Sequence, residues 1–478
     1  MTALIALGLG VAGDLLLRAT PPGLGVALWV AACAAAAIAV RPRAAAPLVL
    51  AAAFGLAFGW RDSMILQALF GCAALVAWAT AFLDGPARAG VTSHAAAAIA
   101  AMTSAVLGPL LVLASARSGK PARWRGWRAA LAGSLAAAPL LLVFGTLFAS
   151  ADPLFARYAG DLARSLDDAL DHVTATLAIA WLAGGLVAGL AFARCPADLE
   201  LGRPRAWIAD AVTVAMALVA TLFAAFLGVQ ARALMGGREL VEATVGLGYA
   251  DYARRGFFQL LACAWIALPL VLAADWVAVP GERRRGRNLA LSGAMVAMVL
   301  AVLASAASRM SLYVDAYGLS ELRLYASAAM VWLAVAFVAF GVAAARGSRR
   351  RFALHALSAA AVIVALLGAL SPQATIVRVN ATRASTAVAG FDAAYATTLG
   401  ADAVPALLDA FPSLPTVSRC EVARDLLDRS ERPDPTEWRS FNLSRNRARE
   451  LLAASRENLR AAVLACPSPT LPSATRRG

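Results

Sequence analysis

The sequence predicts an all-α fold, a polytopic transmembrane helix bundle with a small C-terminal soluble helical domain. Three observations predict it. Hydrophobic residues make up 61% of the chain and charged residues only 15%, whereas a soluble domain carries about 25% charged residues. Side chains that face lipid cannot carry charge cheaply, and the mean hydropathy is +0.70. The apolar residues also form continuous runs of the length that a helix needs to cross a bilayer, about 20 residues; they do not alternate as barrel strands do. Finally, the arginines cluster in short connectors between those runs.

Twelve runs are candidate spans: Thr2–Leu17, Leu24–Val40, Ala44–Trp60, Met64–Leu83, Ala95–Ala114, Ala129–Ser150, Ala175–Ala193, Ile208–Val229, Phe257–Val277, Leu289–Ala307, Ser327–Ala345 and Ala353–Leu370. The first lacks a basic start and a clear cleavage site, so it reads as a spanning helix and not as a signal peptide. The early runs are short or closely spaced, which leaves their number open by one or two. Between the sixth and seventh runs, Leu162, Leu166, Leu170 and Val173 recur at helical spacing with Asp161, Arg164, Asp167, Asp168 and Asp171 on other faces. That pattern suits a short amphipathic helix on the membrane surface, or an extension of the next span.

Orientation follows from the arginines. The densest basic connectors hold Arg117, Lys120, Arg123, Arg125 and Arg128; Arg194, Arg203 and Arg205; Arg283, Arg284, Arg285 and Arg287; and Arg346, Arg349, Arg350 and Arg351. They occur at every second connector from Arg117 onward and mark the cytoplasmic side. The connectors 151–172, 231–255 and 309–325, and the tail after Leu370, should then face outward. Arg41 and Arg43 conflict with this, because three apolar runs separate them from the Arg117 connector. Either the amino terminus is outside or one early run does not span. Ala95–Ala114 is the first suspect, being alanine-rich, directly after His94 and holding Pro109 near its end.

The tail begins after Ser371 and Pro372 with a sharp rise in charge. Phe391, Tyr395 and Leu399 share one helical face, as do Val404, Leu407 and Leu408. A last helix from about Ser444 to Cys466 carries Leu451, Leu452, Leu459 and Val463 on its apolar side. The chain thus divides into residues 1–128 (N-terminal transmembrane segments), 129–370 (the core bundle with outward connectors) and 371–478 (an extracytoplasmic tail). An outward tail lies in an oxidising compartment. Its two cysteines, Cys420 and Cys466, each near a helix end, are expected to form a disulfide.

Chemistry-bearing residues concentrate in the outward connectors. Asp152, Arg254, Arg255, Tyr313, Asp315, Glu321 and Arg323 form a candidate outer-face polar site, and the alternative is that they are structural ion pairs. Tyrosines alone carry little weight, because amphipathic rings collect at membrane interfaces. Asp14, Asp210 and Asp275 lie inside spans but near their ends, where reaching out to water explains them. The three histidines, His94, His172 and His355, are scattered, and no C-x-x-C pair occurs, so neither a metal site nor a cofactor is expected. No Walker motif or G-x-S-x-G elbow is present either. The net charge of +14 sits in connectors beside apolar runs, which points to phospholipid headgroups and not to nucleic acid.

The segments FASADPLF, GYADYARRGFFQLL and RMSLYVDAYGLSELRLYASAAMVWLA, with FDAAYATTLGADAVPALL and EWRSFNLSRNRAR in the tail, resemble bacterial membrane proteins called domain of unknown function forty-one seventy-three and the related forty-one fifty-three group. The similarity covers roughly residues 129–465. It implies a multi-pass protein of the bacterial inner membrane with no assigned activity, and it carries over no catalytic residue. The leading functional reading is an envelope sensing, scaffolding or partner-binding protein that acts through its tail. The rivals are a membrane transporter and a membrane enzyme acting on lipid-linked or envelope substrates at the outer face.

Overall fold

A computed structural model describes residues 2–18, 20–115, 167–199, 206–235, 257–277, 282–348, 350–385, 390–432 and 437–467, with a few single positions between 137 and 202. Sixteen α-helices lie among the described residues. They are α1 Thr2–Leu17, α2 Leu24–Val40, α3 Ala45–Leu56, α4 Met64–Thr80, α5 Val91–Ser115, α6 Asp167–Phe192, α7 Ala206–Met235 and α8 Phe257–Val277. There follow α9 Glu282–Tyr317, α10 Glu321–Ala345, α11 Arg351–Leu370, α12 Pro372–Ser385, α13 Ala393–Thr398, α14 Val404–Ala410, α15 Thr416–Glu431 and α16 Leu443–Leu464. The only strands among the described residues are a two-residue parallel pair, β1 Leu83–Asp84 with β2 Cys195–Pro196. The chain is therefore an all-α polytopic bundle, as its composition requires.

Eight helices are long and apolar enough to cross a membrane, and Leu4–Leu17, Leu24–Val40 and Met64–Thr80 are shorter apolar helices. Eleven of the twelve expected runs thus correspond to helices; of Ala129–Ser150 only residues 137, 143 and 144 are described. The suspect run Ala95–Ala114 belongs to α5, one of the eight.

One expectation is corrected, and one pair of alternatives is narrowed. Residues 309–317 are not a connector: α9 runs unbroken to Tyr317, and only residues 318–320 turn the chain. Nothing before Gly318 breaks a helix, and Gly318 takes a left-handed φ of +80° that a side chain rarely adopts. From Asp167 onward the acidic segment is already part of α6, so the described part of the expected surface helix is an extension of the span.

Helices α1 to α6 pack into one group around Leu48, Phe82, Val187 and Leu190. A Cβ added at Gly185 would stand 2.7 Å from the Ala105 carbonyl oxygen, so α5 and α6 lie close enough for their backbones to touch. Helices α7 to α10 form a second group around Met295, Leu333 and Phe337, which Phe352 and Ala356 of α11 join. The other face of α11 meets α3 and α4 through Leu367, Phe54, Leu66 and Phe70. The tail helices build a core of Ile376, Leu407, Val422, Leu426 and Leu459, against which Leu319 and Leu324 of the bundle pack. The Cys420 and Cys466 sulfurs are bonded, with their Cα atoms 5.7 Å apart.

The two ends of the bundle differ. At one end Arg41 meets Asp84 at 2.6 Å, and Cys195 pairs with Leu83. Arg43, Arg88 and Arg194 follow the same helix ends, and the 86–88 turn touches α11, whose last residues meet Arg61 at the opposite end. The tail covers the opposite end, where the connectors after α1, α3 and α9 gather. Arg41 and Arg43 thus share an end with Arg194 and Arg351. Helix α5 starts at that same end, where Ser93 donates to the Ala197 carbonyl at 3.1 Å, and runs antiparallel to α6 toward the tail end, so it is the Arg117 set, and not Arg41 and Arg43, that departs from the expected alternation. The Arg117–Arg128 connector lies outside the described residues.

Candidate functional site beneath the tail

After α3 a 3-10 turn, Ala57–Gly59, leads into only four residues, Trp60 to Ser63, before α4 begins. Such a tight turn leaves main-chain groups that need partners, and the tail supplies them. Asp402, 3% exposed in the turn before α14, accepts the N–H groups of Asp62 and Ser63 through Oδ2, each at 3.0 Å. The fully buried Asn442 caps α16 by accepting the Ser444 and Arg445 N–H groups at 3.0 and 3.2 Å. Its amide donates to the Phe58 and Arg61 carbonyls, both at 2.9 Å. One side chain therefore starts a tail helix and closes the end of α3.

Charge reinforces the joint. Arg61 lies 3.8 Å from Asp402 Oδ1 and donates to the Gly368 and Ala369 carbonyls at 2.8 and 3.3 Å. A cation at the C-terminus of α11 is favourable, because the last carbonyls of a helix carry partial negative charge. Asp62 pairs with Arg445 at 2.5 Å, and Arg445 also donates to the Pro22 and Ser440 carbonyls at 2.8 and 2.6 Å. Burial pushes the Asp62 carboxyl above its usual range, Arg445 opposes that, and the neighbouring Asp402 carboxylate adds to it. Burial lowers the Arg61 guanidinium, and Asp402 resists the shift.

A second part of the joint surrounds the first turn of α10. Glu321 donates its N–H to the Tyr395 hydroxyl at 2.8 Å. Its carboxylate accepts from the Gln373 amide at 3.0 Å and the Ser63 hydroxyl at 3.3 Å. Gln373 accepts the Gly400 N–H at 3.0 Å, and Tyr325 meets Ser63 at 3.4 Å. Burial raises the Tyr395 phenol, and the Glu321 N–H partly offsets this. Beside it, Asn380 accepts the Leu319 N–H at 2.7 Å and donates to the Leu319 carbonyl at 2.8 Å.

Of the candidate residues, Tyr313, Asp315, Glu321 and Arg323 lie in this region. Arg323 stacks 4.0 Å over the Tyr313 ring and donates to the Tyr317 carbonyl at 3.1 Å and to the Gly318 carbonyl. The Asp315 carbonyl accepts from Arg383, while its side chain is exposed. Asp152 accepts the Leu154 N–H at 2.7 Å in a local turn. Arg254 and Arg255 lie outside the described residues. Among the described residues no group of three or more His, Cys, Asp or Glu is arranged to hold a metal ion.

A separate polar pair joins α1 to α6. Asp14 is 4% exposed, so it does not reach out to water; His172 Nδ1 meets it at 2.5 Å, and Arg18 stands 4.0 Å away. Asp210 is exposed and Asp275 half-buried, and both have partners.

Sequence reasoning missed Arg61, Asp62, Ser63, Gln373, Asp402, Asn442 and Arg445. A signal existed for the first three: a charged pair and a serine confined between two apolar runs must face an interface or a partner. Asp402, Asn442 and Arg445 fall in the tail segments GADAVPALL and NLSRNRAR, whose composition shows only polar helix and turn.

The arrangement is a fastener. Asp402 Oδ2 and Asn442 each take two main-chain N–H groups, the Glu321 carboxylate takes side-chain donors, the arginines close helix ends, and the whole binds three connectors of the bundle to the tail. A family model described as Domain of unknown function (DUF4153) matches residues 48–410. It corresponds to the forty-one fifty-three group; no match supports the forty-one seventy-three number. The match starts well before residue 129, taking in the α3–α4 connector, and ends before the EWRSFNLSRNRAR segment. No curated protein and no solved structure matches the chain.

Proposed function

The chain belongs to the family described as Domain of unknown function (DUF4153), and with that membership as premise we propose that it is an envelope protein whose bundle holds an extracytoplasmic helical tail as a docking platform. The observation that carries this reading is the joint beneath the tail. Glu321, one of the candidate outer-face residues, is engaged in holding the tail, as are Asp62 and Asp402. Two features support an outward tail in the bacterial inner membrane. The end of the bundle bearing Arg41, Arg194 and Arg351 is the cytoplasmic end by the positive-inside rule, and the Cys420–Cys466 bond suits an oxidising compartment.

The platform's contact surface is the pair Val417 and Leu464, large apolar side chains left exposed beside the disulfide. A photo-crosslinking amino acid placed at Leu464 in living cells should yield a discrete adduct with a second envelope protein. The same group at Leu222, an exposed side of α7 that faces lipid, should yield none. Adducts only with lipid, or none, at both Leu464 and Val417 would remove the docking role.

A further inference from the structure

We propose that the tail edge Trp438–Leu443 is seated in the headgroup layer of the bilayer, so that the tail is held by lipid as well as by its joint with the bundle. The edge is level with the membrane ends of the first helices. The Phe441 carbonyl accepts the Leu24 N–H at 2.8 Å where α2 begins. Arg439 donates to the Leu15 carbonyl near the end of α1, and the neighbouring Asn442 to the Phe58 carbonyl at 2.9 Å, at the end of α3. A segment bonded to the terminal turns of three apolar helices, all at one end of the bundle, lies where such helices leave the hydrocarbon.

Its side chains suit that depth. Trp438 is 60% exposed, and Phe441 and Leu443 are exposed beside it. They stand beside exposed apolar side chains of the bundle, Leu15, whose carbonyl Arg439 meets, and Trp60, whose carbonyl accepts the Ser444 N–H. This continuity selects lipid as the occupant, because the same surface is lipid-facing one turn further into the bundle. Tryptophan concentrates at this level because its ring is apolar and its N–H polar. One turn beyond Leu443, on the same face of α16, Arg447 is exposed and supplies a cation at the level of lipid phosphates. The other arginines there are engaged: Arg18 with Asp171, Arg439 with Glu437 and Arg445 with Asp62.

The inference does not depend on which side of the membrane the tail occupies, nor on the docking role. It is tested on the full chain, labelled with 5-fluorotryptophan, in nanodiscs of phosphatidylcholine and phosphatidylglycerol. The Trp438 fluorine signal is the one lost in Trp438→Phe. A lipid carrying a nitroxide near its headgroup should broaden that signal at least twofold more than a water-soluble gadolinium chelate does. Trp265, exposed midway along α8, should instead respond to a nitroxide deep in the acyl chain. Stronger broadening of Trp438 by the chelate would place the edge in water and overturn the proposal. Protection from both agents would show that protein covers it, which overturns it equally. Should Trp438→Phe fail to fold, Phe441→Trp adds a new signal that is read in the same way.

Discussion

Asp402 shows how much one residue of the joint carries. Its side chain is buried, two main-chain N–H groups of the α3–α4 connector depend on it, and Arg61 stands beside it. Asp402→Ala leaves those two donors without an acceptor and Arg61 without its carboxylate partner, which costs about 2–5 kcal/mol. Asp392→Ala removes only the cap of the short α13, worth about 1 kcal/mol. Thermal unfolding in one detergent should rank the two in that order; equal midpoints would mean that Asp402 does not hold the joint. Asp62 makes a pH-dependent prediction. Burial raises its folded-state carboxyl above the unfolded value, so its contribution is full below the unfolded value and is lost as pH rises through the folded one. Wild-type stability measured against Asp62→Asn should therefore improve as pH falls from 7 toward 4.5. A gap that stays constant, or widens against the wild type, would show that the Arg445 pair outweighs burial. Neither role was legible from residue type, because a connector aspartate looks alike whether it faces water or a buried N–H.

At the scale of elements, the spans could be read directly. The ends of Thr2–Leu17, Leu24–Val40 and Phe257–Val277 coincide with α1, α2 and α8, because prolines, glycines and arginines bound those runs sharply. The extension of α9 to Tyr317 could not, because tyrosine, serine and aspartate were read as a connector although nothing in 309–317 stops a helix. Close packing was invisible too: nothing in the sequence marks Gly185 as the point that admits the α5 backbone. Gly185→Leu should push α5 off α6 and lower the unfolding midpoint, by about 1–3 kcal/mol for an overpacked contact. Gly228→Ala, where an added Cβ meets nothing within 4 Å, should leave it unchanged or raised. The disulfide clips α15 to α16 across a separation of 46 residues, and its reduction should cost about 2–4 kcal/mol. Non-reducing peptide mapping should recover Cys420 linked to Cys466, and reductant should lower the stability of the tail. Free thiols at both positions would remove that contribution and one support for an outward tail.

Across the whole molecule, orientation is the property from which the function follows. A phosphatase reporter fused after Leu370 should be active outside the cytoplasm. A fluorescent reporter that matures only in the cytoplasm, fused after Arg346, should glow. The opposite pair of results would turn the bundle over and place the tail inside. The arginine clusters from Arg194 onward predict this arrangement, and Arg41 and Arg43 lie at the same end as they do; the Arg117 set, which follows the tail-side end of α5, does not fit the alternation, because counting spans along a chain accumulates every doubtful segment. The structure settles which connectors share an end by direct contacts: Arg41 with Asp84, and Leu83 with Cys195.

By itself the sequence determined that this chain crosses a membrane as helices and carries a polar helical tail. Transfer of apolar side chains out of water depends on composition and run length, and both are local. Only the tertiary structure decided that the tail is locked onto the connectors beneath it. The reason is that hydrogen bonds between Asp402 and Asp62, or Asn442 and Phe58, join residues hundreds of positions apart. Their worth comes from burial, which no single segment possesses before the chain has folded.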